Sequence, residues 1–225
     1  MPRPPASQTR TGRPPVTSRA QILAGARRLI DRDGWERLSI RQLAAELGIG
    51  PTTLYHHVRD KEDLLLLLIT EYADQIPHPE LPAEPRDRII LAATAIHDAL
   101  AAWPWAAEVL AVDGFIARIG KSALWFVEVI LAGAVDAGCT REEAIRLFRG
   151  LWYYTVGEIL VRARSRREQV DYTSSDGLFE DRDMAGLPQL ASVKDLWGPV
   201  AAADNFPQGL EAFVDGLLLQ ATRKS

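Results

Sequence analysis

Apolar residues recur along this chain at intervals of three and four, and Ser, Thr, Gly and Pro stand where helices would begin or end. Ser18-Arg19-Ala20-Gln21 fits a capping box, in which the Gln side chain reaches back to the cap amide. Ile22, Ala26, Leu29 and Ile30 follow at helical spacing until Gly34. Ser39-Ile40-Arg41-Gln42 predicts a second capping box and a short helix with Leu43, Ala44 and Leu47 inward, closed by Gly48 as a left-handed residue. Gly50-Pro51 restarts the chain with Pro at the first helical position, predicting about two turns to Val58. Asp60 caps a fourth helix from Lys61 to about Ile76.

Beyond the Pro-rich stretch Pro77–Pro85, the stripe Ile89, Ala93, Ile96, Leu100 and Trp103 predicts a long helix that Pro104 interrupts. A short helix over Pro104–Ala111 and a longer one from about Arg118 to Ala137 follow, stopped by Gly138. Thr140-Arg141-Glu142-Glu143 is a third capping box, opening a helix to about Arg164 with Ala144, Leu147, Phe148, Leu151, Trp152, Thr155 and Ile159 on one face. Residues 165–187 are polar and broken by glycines, predicting a long loop. Helices near Pro188–Ala203 and from Phe206 to about Thr222 complete the chain. No alternating strand pattern and no internal repeat is evident, so the expected class is all-α. Met1–Thr17, with five Pro and no periodicity, reads as a disordered basic arm, 18–62 as a small three-helix head and 63–225 as a helical body.

Composition narrows the reading. With 225 residues, 47% hydrophobic and 25% charged, the chain has a globular balance. Its longest fully apolar run is Leu64–Ile69, far short of the ~20 residues of a membrane span. The Pro- and Arg-rich start lacks the apolar segment of a secretory signal, and Cys139 is the single cysteine, both fitting a reducing cytoplasm. No metal-ligand spacing, P-loop, dinucleotide-binding glycine pattern or G-x-S-x-G elbow occurs, so neither a metal nor a cofactor nor an enzyme is expected. Net charge is −4, but residues 1–62 hold 11 Lys and Arg against 6 Asp and Glu. A basic head on an acidic body suits a nucleic-acid partner for the head; a merely solvated basic face is the alternative.

Residues 39–58 form two short helices around a tight glycine-containing turn, the pattern of a helix-turn-helix, with Leu43, Leu47, Ile49, Leu54 and Val58 as its shared core. The run from Leu38 to Gly50, followed by Pro51-Thr52-Thr53-Leu54-Tyr55-His56-His57-Val58-Arg59-Asp60-Lys61, resembles the DNA-binding head of the TetR family of transcriptional regulators, from about Ser18 to Leu68. The most specific part is Thr53 to Lys61, matching Thr-Leu-Tyr-x-His-Val-x-x-Lys. The helical body and Phe206–Leu217 resemble the tetracycline-repressor-like subset more loosely.

The resemblance implies roles. Arg41 would read a base, as would Pro51, Thr52, Thr53, Tyr55 and His56 on the exposed side of the recognition helix. Ser39, Tyr55, His57 and Lys61 would hold phosphates. Simpler readings stand beside these: Ser39 as a helix cap alone, Tyr55 as packing, the two histidines as idle surface. A palindromic operator and a homodimer follow, because one such head makes too few contacts for tight binding. Gly150, Tyr154, Gly157 and Val161 on one helix and Gly209, Ala212, Phe213, Gly216 and Leu217 on another would form the seam, packing within one chain being the alternative. The resemblance also implies a small apolar or aromatic effector in the body, with His97, Trp103, Trp125, Phe126, Phe148 and Trp152 as candidate lining; an ordinary aromatic core is the alternative. The whole reads as a repressor released by its effector, with Leu64–Ile69 as the lever. Activation, or a helical binding protein or enzyme without DNA readout, are the other readings.

Overall fold

The computed structural model describes residues 18–167 and 184–222, and among these there is no strand. The arm 1–17 and the middle of the expected loop lie outside the described residues. The chain divides into two compact units between Leu68 and Ile69, inside its fourth helix rather than at residue 62.

The first unit holds α1 (Arg19–Asp33), α2 (Ile40–Glu46), α3 (Pro51–Tyr55) and the first turns of α4 (Lys61–Ala73). Local chemistry places each end. At α1 the Gln21 N–H donates to Ser18 Oγ (3.2 Å) and the Ser18 N–H to Gln21 Oε1 (2.9 Å), completing the predicted box. At α2 only half the box forms: Gln42 N–H donates to Ser39 Oγ (3.2 Å), but the Gln42 side chain takes the Ser39 hydroxyl proton (2.9 Å). Gly48 has φ +66, and its N–H reaches Ala45 O (3.1 Å) while Ile49 N–H reaches Ala44 O (3.0 Å). That Schellman pair turns the chain sharply toward α3, in a conformation an L side chain resists. The third helix is shorter than its pattern suggested. Regular bonding ends at Tyr55 and the turn continues through His57 N–H to Leu54 O (2.9 Å) and Val58 N–H to Leu54 O (3.1 Å). Leu43, Ala44, Leu54, Val58, Leu64 and Leu68 are fully or almost fully buried, whereas Leu47 and Ile49 are half-buried.

The second unit is built on α5 (Pro85–Ala102), α6 (Pro104–Leu110), α7 (Lys121–Asp136), α8 (Arg141–Arg167), α9 (Pro188–Ala202) and α10 (Phe206–Thr222), with a 3-10 turn over Phe115–Ala117 that periodicity did not suggest. α5 and α6 meet at 110° across Trp103-Pro104, because Pro104 cannot donate to the preceding turn. α5 lies closest to α7: a Cβ at Gly133 would stand 2.8 Å from Ile89 Cγ1 and 3.0 Å from Pro85 O. α8 extends beyond its expected end, so Ser165–Arg167 are helical rather than loop. The Thr140 box forms in full, Glu143 Oε2 accepting from Thr140 N–H at 3.0 Å. No single described helix is long and apolar enough to cross a membrane.

Candidate DNA-reading helix and effector cavity

In the first unit, α3 hangs on one side chain. Leu54 is its sole buried residue, at 0% exposure, while Pro51, Thr52, Thr53 and Tyr55 are exposed, as are His56 and His57 in the turn after it. Arg41, at the second position of α2, is exposed too. The base-reading candidates therefore lie outward around one short helix and the start of its neighbour. Two of the phosphate candidates have partners within the unit. Ser39 caps α2. Lys61 is half-buried: its Nζ donates to Glu36 O (2.8 Å) and stands 5.2 Å from the Trp35 ring centre. This uses one of three ammonium donors, so the contact fixes the charge at the entrance to α4 without consuming it. Sequence spacing carried no sign of the Trp35 contact, which the loop between α1 and α2 creates.

Asp63 steadies the same entrance. The Arg59 backbone N–H and then its guanidinium, both donating at 3.0 Å, hold the Asp63 carboxyl below the ordinary aspartate value. A lowered folded value makes the contribution present above the unfolded value of 3.8 and lost as pH falls through the folded one. Asp63→Asn is expected to cost about 1 kcal/mol at pH 7. Urea unfolding of the two proteins should give a gap that closes below pH 3.8; a gap independent of pH refutes the assignment.

The second unit holds an apolar cavity of about 80 Å³. Its walls come from the end of α4 (Ile69, Tyr72), from α5 (Ile96, Trp103), from α6 (Ala106), from Phe115, from α7 (Phe126) and from α8 (Phe148, Trp152), among others. Tyr72 stacks on Trp103 with ring centres 3.8 Å apart, and Phe115 on Trp152 at 4.2 Å. Four of the six candidates, Trp103, Phe126, Phe148 and Trp152, thus line the cavity. His97 and Trp125 do not. Each sits one residue from a lining side chain, about 100° round its helix. His97 instead stacks on Phe206 (3.7 Å), its ring nitrogens 3.1 Å from Asp98 Oδ1 and Glu158 Oε2. Trp125 stacks on His78 (4.1 Å). Tyr72 and Phe115 were missed: the first follows a Leu-rich run with no distinct stripe, the second sits in a three-residue turn.

The seam candidates separate into two sets. Gly150, Tyr154, Gly209, Phe213 and Leu217 build the crossing of α8 and α10 within the chain. A Cβ on Gly150 would stand 3.0 Å from Phe213 Cε1 and 3.8 Å from Leu217 Cδ1; one on Gly209 would fall on the Tyr154 hydroxyl. Tyr154 stacks on Phe206 and Phe213, and its hydroxyl donates to Phe206 O (3.4 Å). Burial, then the Glu158 charge, push that phenol upward, keeping it a donor. Gly157, Val161, Ala212 and Gly216 are exposed. Small residues at helical spacing therefore serve the intrachain crossing first, and leave an outward strip beside it.

Comparison with known proteins matches both units. Residues 22–68 fit the model of bacterial regulatory proteins of the tetR family, and residues 78–221 that of the tetracyclin repressor-like C-terminal domain. An HTH-type transcriptional regulator of Saccharopolyspora erythraea is 30% identical over 211 residues, covering 90% of this chain and 80% of that protein. The HTH-type transcriptional repressor DrrR1 of Streptomyces coeruleorubidus is 31% identical over 235 residues, covering 95% and 82%. Among solved structures, ActR of Streptomyces coelicolor in complex with actinorhodin superposes with a TM-score of 0.74 at 23% identity, covering 92% and 98%.

Proposed function

The chain belongs to the TetR family of bacterial transcriptional regulators, and from that premise we propose that it is a homodimeric repressor, acting in the cytoplasm, that a small apolar or aromatic effector releases from a palindromic operator. The observation that carries the reading is the arrangement of α3: one buried anchor, Leu54, and an otherwise outward surface of Pro51, Thr52, Thr53, Tyr55, His56 and His57. A short outward element held this way can enter a major groove. Arg41 offers a bidentate donor pair for guanine. Ser39, Tyr55, His57 and Lys61 supply phosphate contacts that fix register, with Lys61 already oriented by Glu36 O. The relative DrrR1 carries the name of repressor, which favours repression over activation.

Release is a coupling free energy between two sites. α4 supplies Leu64, Leu65 and Leu68 to the core of the first unit and Ile69 and Tyr72 to the wall of the cavity. An effector that rearranges the cavity wall therefore acts on a helix whose other end belongs to the DNA-reading unit. A coupling of about 1–3 kcal/mol, a 5–150-fold change in operator affinity, is the ordinary scale. In the dimer, the outward strip of Gly157, Val161, Ala212 and Gly216 meets its symmetry mate.

Selection of bound duplexes from a random library at about 0.15 M salt tests the reading. A palindrome should emerge, and Arg41→Ala should relax one position in each half-site by about 1–3 kcal/mol while leaving the rest. Absence of any enriched sequence overturns it.

A further inference from the structure

The apolar cavity is by itself too small for an ordinary effector. Its volume of about 80 Å³ is below the roughly 150 Å³ that holds one benzene and well below the roughly 300–1,000 Å³ of ordinary ligand sites. Beside it, on the outer side of α7 and α8 and against the segment Ala111–Ile116, runs a groove of about 600 Å³. The two spaces share Phe115, Val127, Phe148 and Trp152 as walls. The stacked Phe115–Trp152 pair is thus part of the wall between them. Phe115 belongs to a three-residue turn, and both rings are buried, so the pair presents a flat apolar face between the two spaces.

The chemistry of the two sides differs. The inner cavity is lined by apolar and aromatic side chains. Among the described residues, the charged groups lining the groove are Arg149 and Asp113. Arg149 lies over the Tyr153 ring with its Cζ 5.3 Å from the ring centre, and donates to the Tyr153 hydroxyl. Its ion pair with Asp113 is loose, at 3.6 Å, and the Asp113 side chain is 88% exposed. An exposed pair of that kind contributes little and yields readily to a competing anion. A planar fork held over an aromatic ring matches a carboxylate or sulfonate oxygen pair.

We propose that the groove is a ligand site, with the apolar cavity behind its Phe115–Trp152 wall, and that its ligand is a flat aromatic acid. The aromatic body lies along the groove against the Phe115–Trp152 stack, and the acidic end rests on Arg149, displacing Asp113. This rests on the effector reading above and adds to it the length, the shape and the charge of the ligand.

Anilinonaphthalene sulfonate and its uncharged parent, anilinonaphthalene, test the proposal on the full chain. Wild-type protein should bind one sulfonate per chain, more tightly than the parent. Arg149→Gln should weaken the sulfonate about tenfold and change the parent less than twofold, and Arg149→Lys should recover most of the loss. Phe115→Leu, which keeps the bulk but not the stack, should weaken both probes several-fold. Equal binding of the two probes to wild type, or equal weakening of both by Arg149→Gln, overturns the assignment. A sulfonate affinity that falls as chain concentration rises puts a second copy in the groove and overturns it too. Operator release is scored separately. Arg149-dependent binding without release leaves the groove site standing and removes the effector reading; release that ignores Arg149 does the reverse.

Discussion

Leu54→Ala should abolish operator binding while leaving the groove of the second unit able to bind its probes. α3 has five residues, far too few to form a helix alone, and Leu54 is the only one of them that is buried. Trimming a fully buried Leu to Ala costs about 2–5 kcal/mol. Folded domains hold about 0.05–0.15 kcal/mol per residue, so a unit of roughly fifty residues has only a few kcal/mol in total. The substitution therefore takes most or all of the stability of the first unit, and with it the surface that carries Pro51, Thr52, Thr53 and Tyr55. Amide exchange should show residues of the first unit losing protection and those of α5, α7 and α8 keeping theirs. Leu54→Met, which conserves volume, should cost less than about 1.5 kcal/mol and keep binding. If Leu54→Ala binds the operator within a few-fold of wild type, α3 is held by something other than its buried face.

Phe206→Ala should strip α10 from its place and with it the proposed dimer. Phe206 is 2% exposed and lies between His97 of α5 (3.7 Å) and Tyr154 of α8 (5.3 Å), whose hydroxyl also donates to its carbonyl. One ring thus ties three helices together at the first position of the last one. Losing a buried Phe costs about 3–5 kcal/mol. For a protein of this size each kcal/mol shifts Tm by about 2–4 °C, giving a drop on the order of 10 °C. Sedimentation should show a shift toward monomer at concentrations where wild type is a dimer, since α10 carries Ala212 and Gly216. A Tm within about 2 °C of wild type would mean that the stack is incidental. An unchanged dimer would place the seam elsewhere than α8 and α10.

The helices and their ends were largely legible, because they are set by chemistry within a few residues. The Ser18 and Thr140 boxes, Gly48 as the turn before α3, Pro51 at its first position and the break at Pro104 all act over one turn or less. The failures were also local in kind. The α2 box formed by half, since the Gln42 side chain accepts from the Ser39 hydroxyl instead of the cap amide. α3 closed early, because Leu54 and Val58 bury themselves through a turn rather than a further helical turn.

Placement across helices was less legible. An inward stripe is wide enough to hold both a cavity wall and a helix crossing, and one residue of rotation separates the two. This is why Phe126 lines the cavity and Trp125 stacks on His78, and why Ile96 faces inward while His97 serves Phe206. The same width blurred the seam candidates: Gly150 and Gly209 are small so that Phe213 and Tyr154 can approach, while Gly157 and Gly216 lie open.

The amino-acid sequence by itself determined an all-helical chain, a basic head with a helix-turn-helix and the side chains that head exposes, because capping, periodicity and charge are properties of neighbouring residues. Only the tertiary structure decided where α4 divides between two units, which aromatic rings line space and which fill it, and that a stacked Phe115–Trp152 pair stands between an apolar cavity and a groove that holds Arg149. Those outcomes depend on distances between residues up to a hundred positions apart, which the packing of whole helices sets and no local pattern encodes.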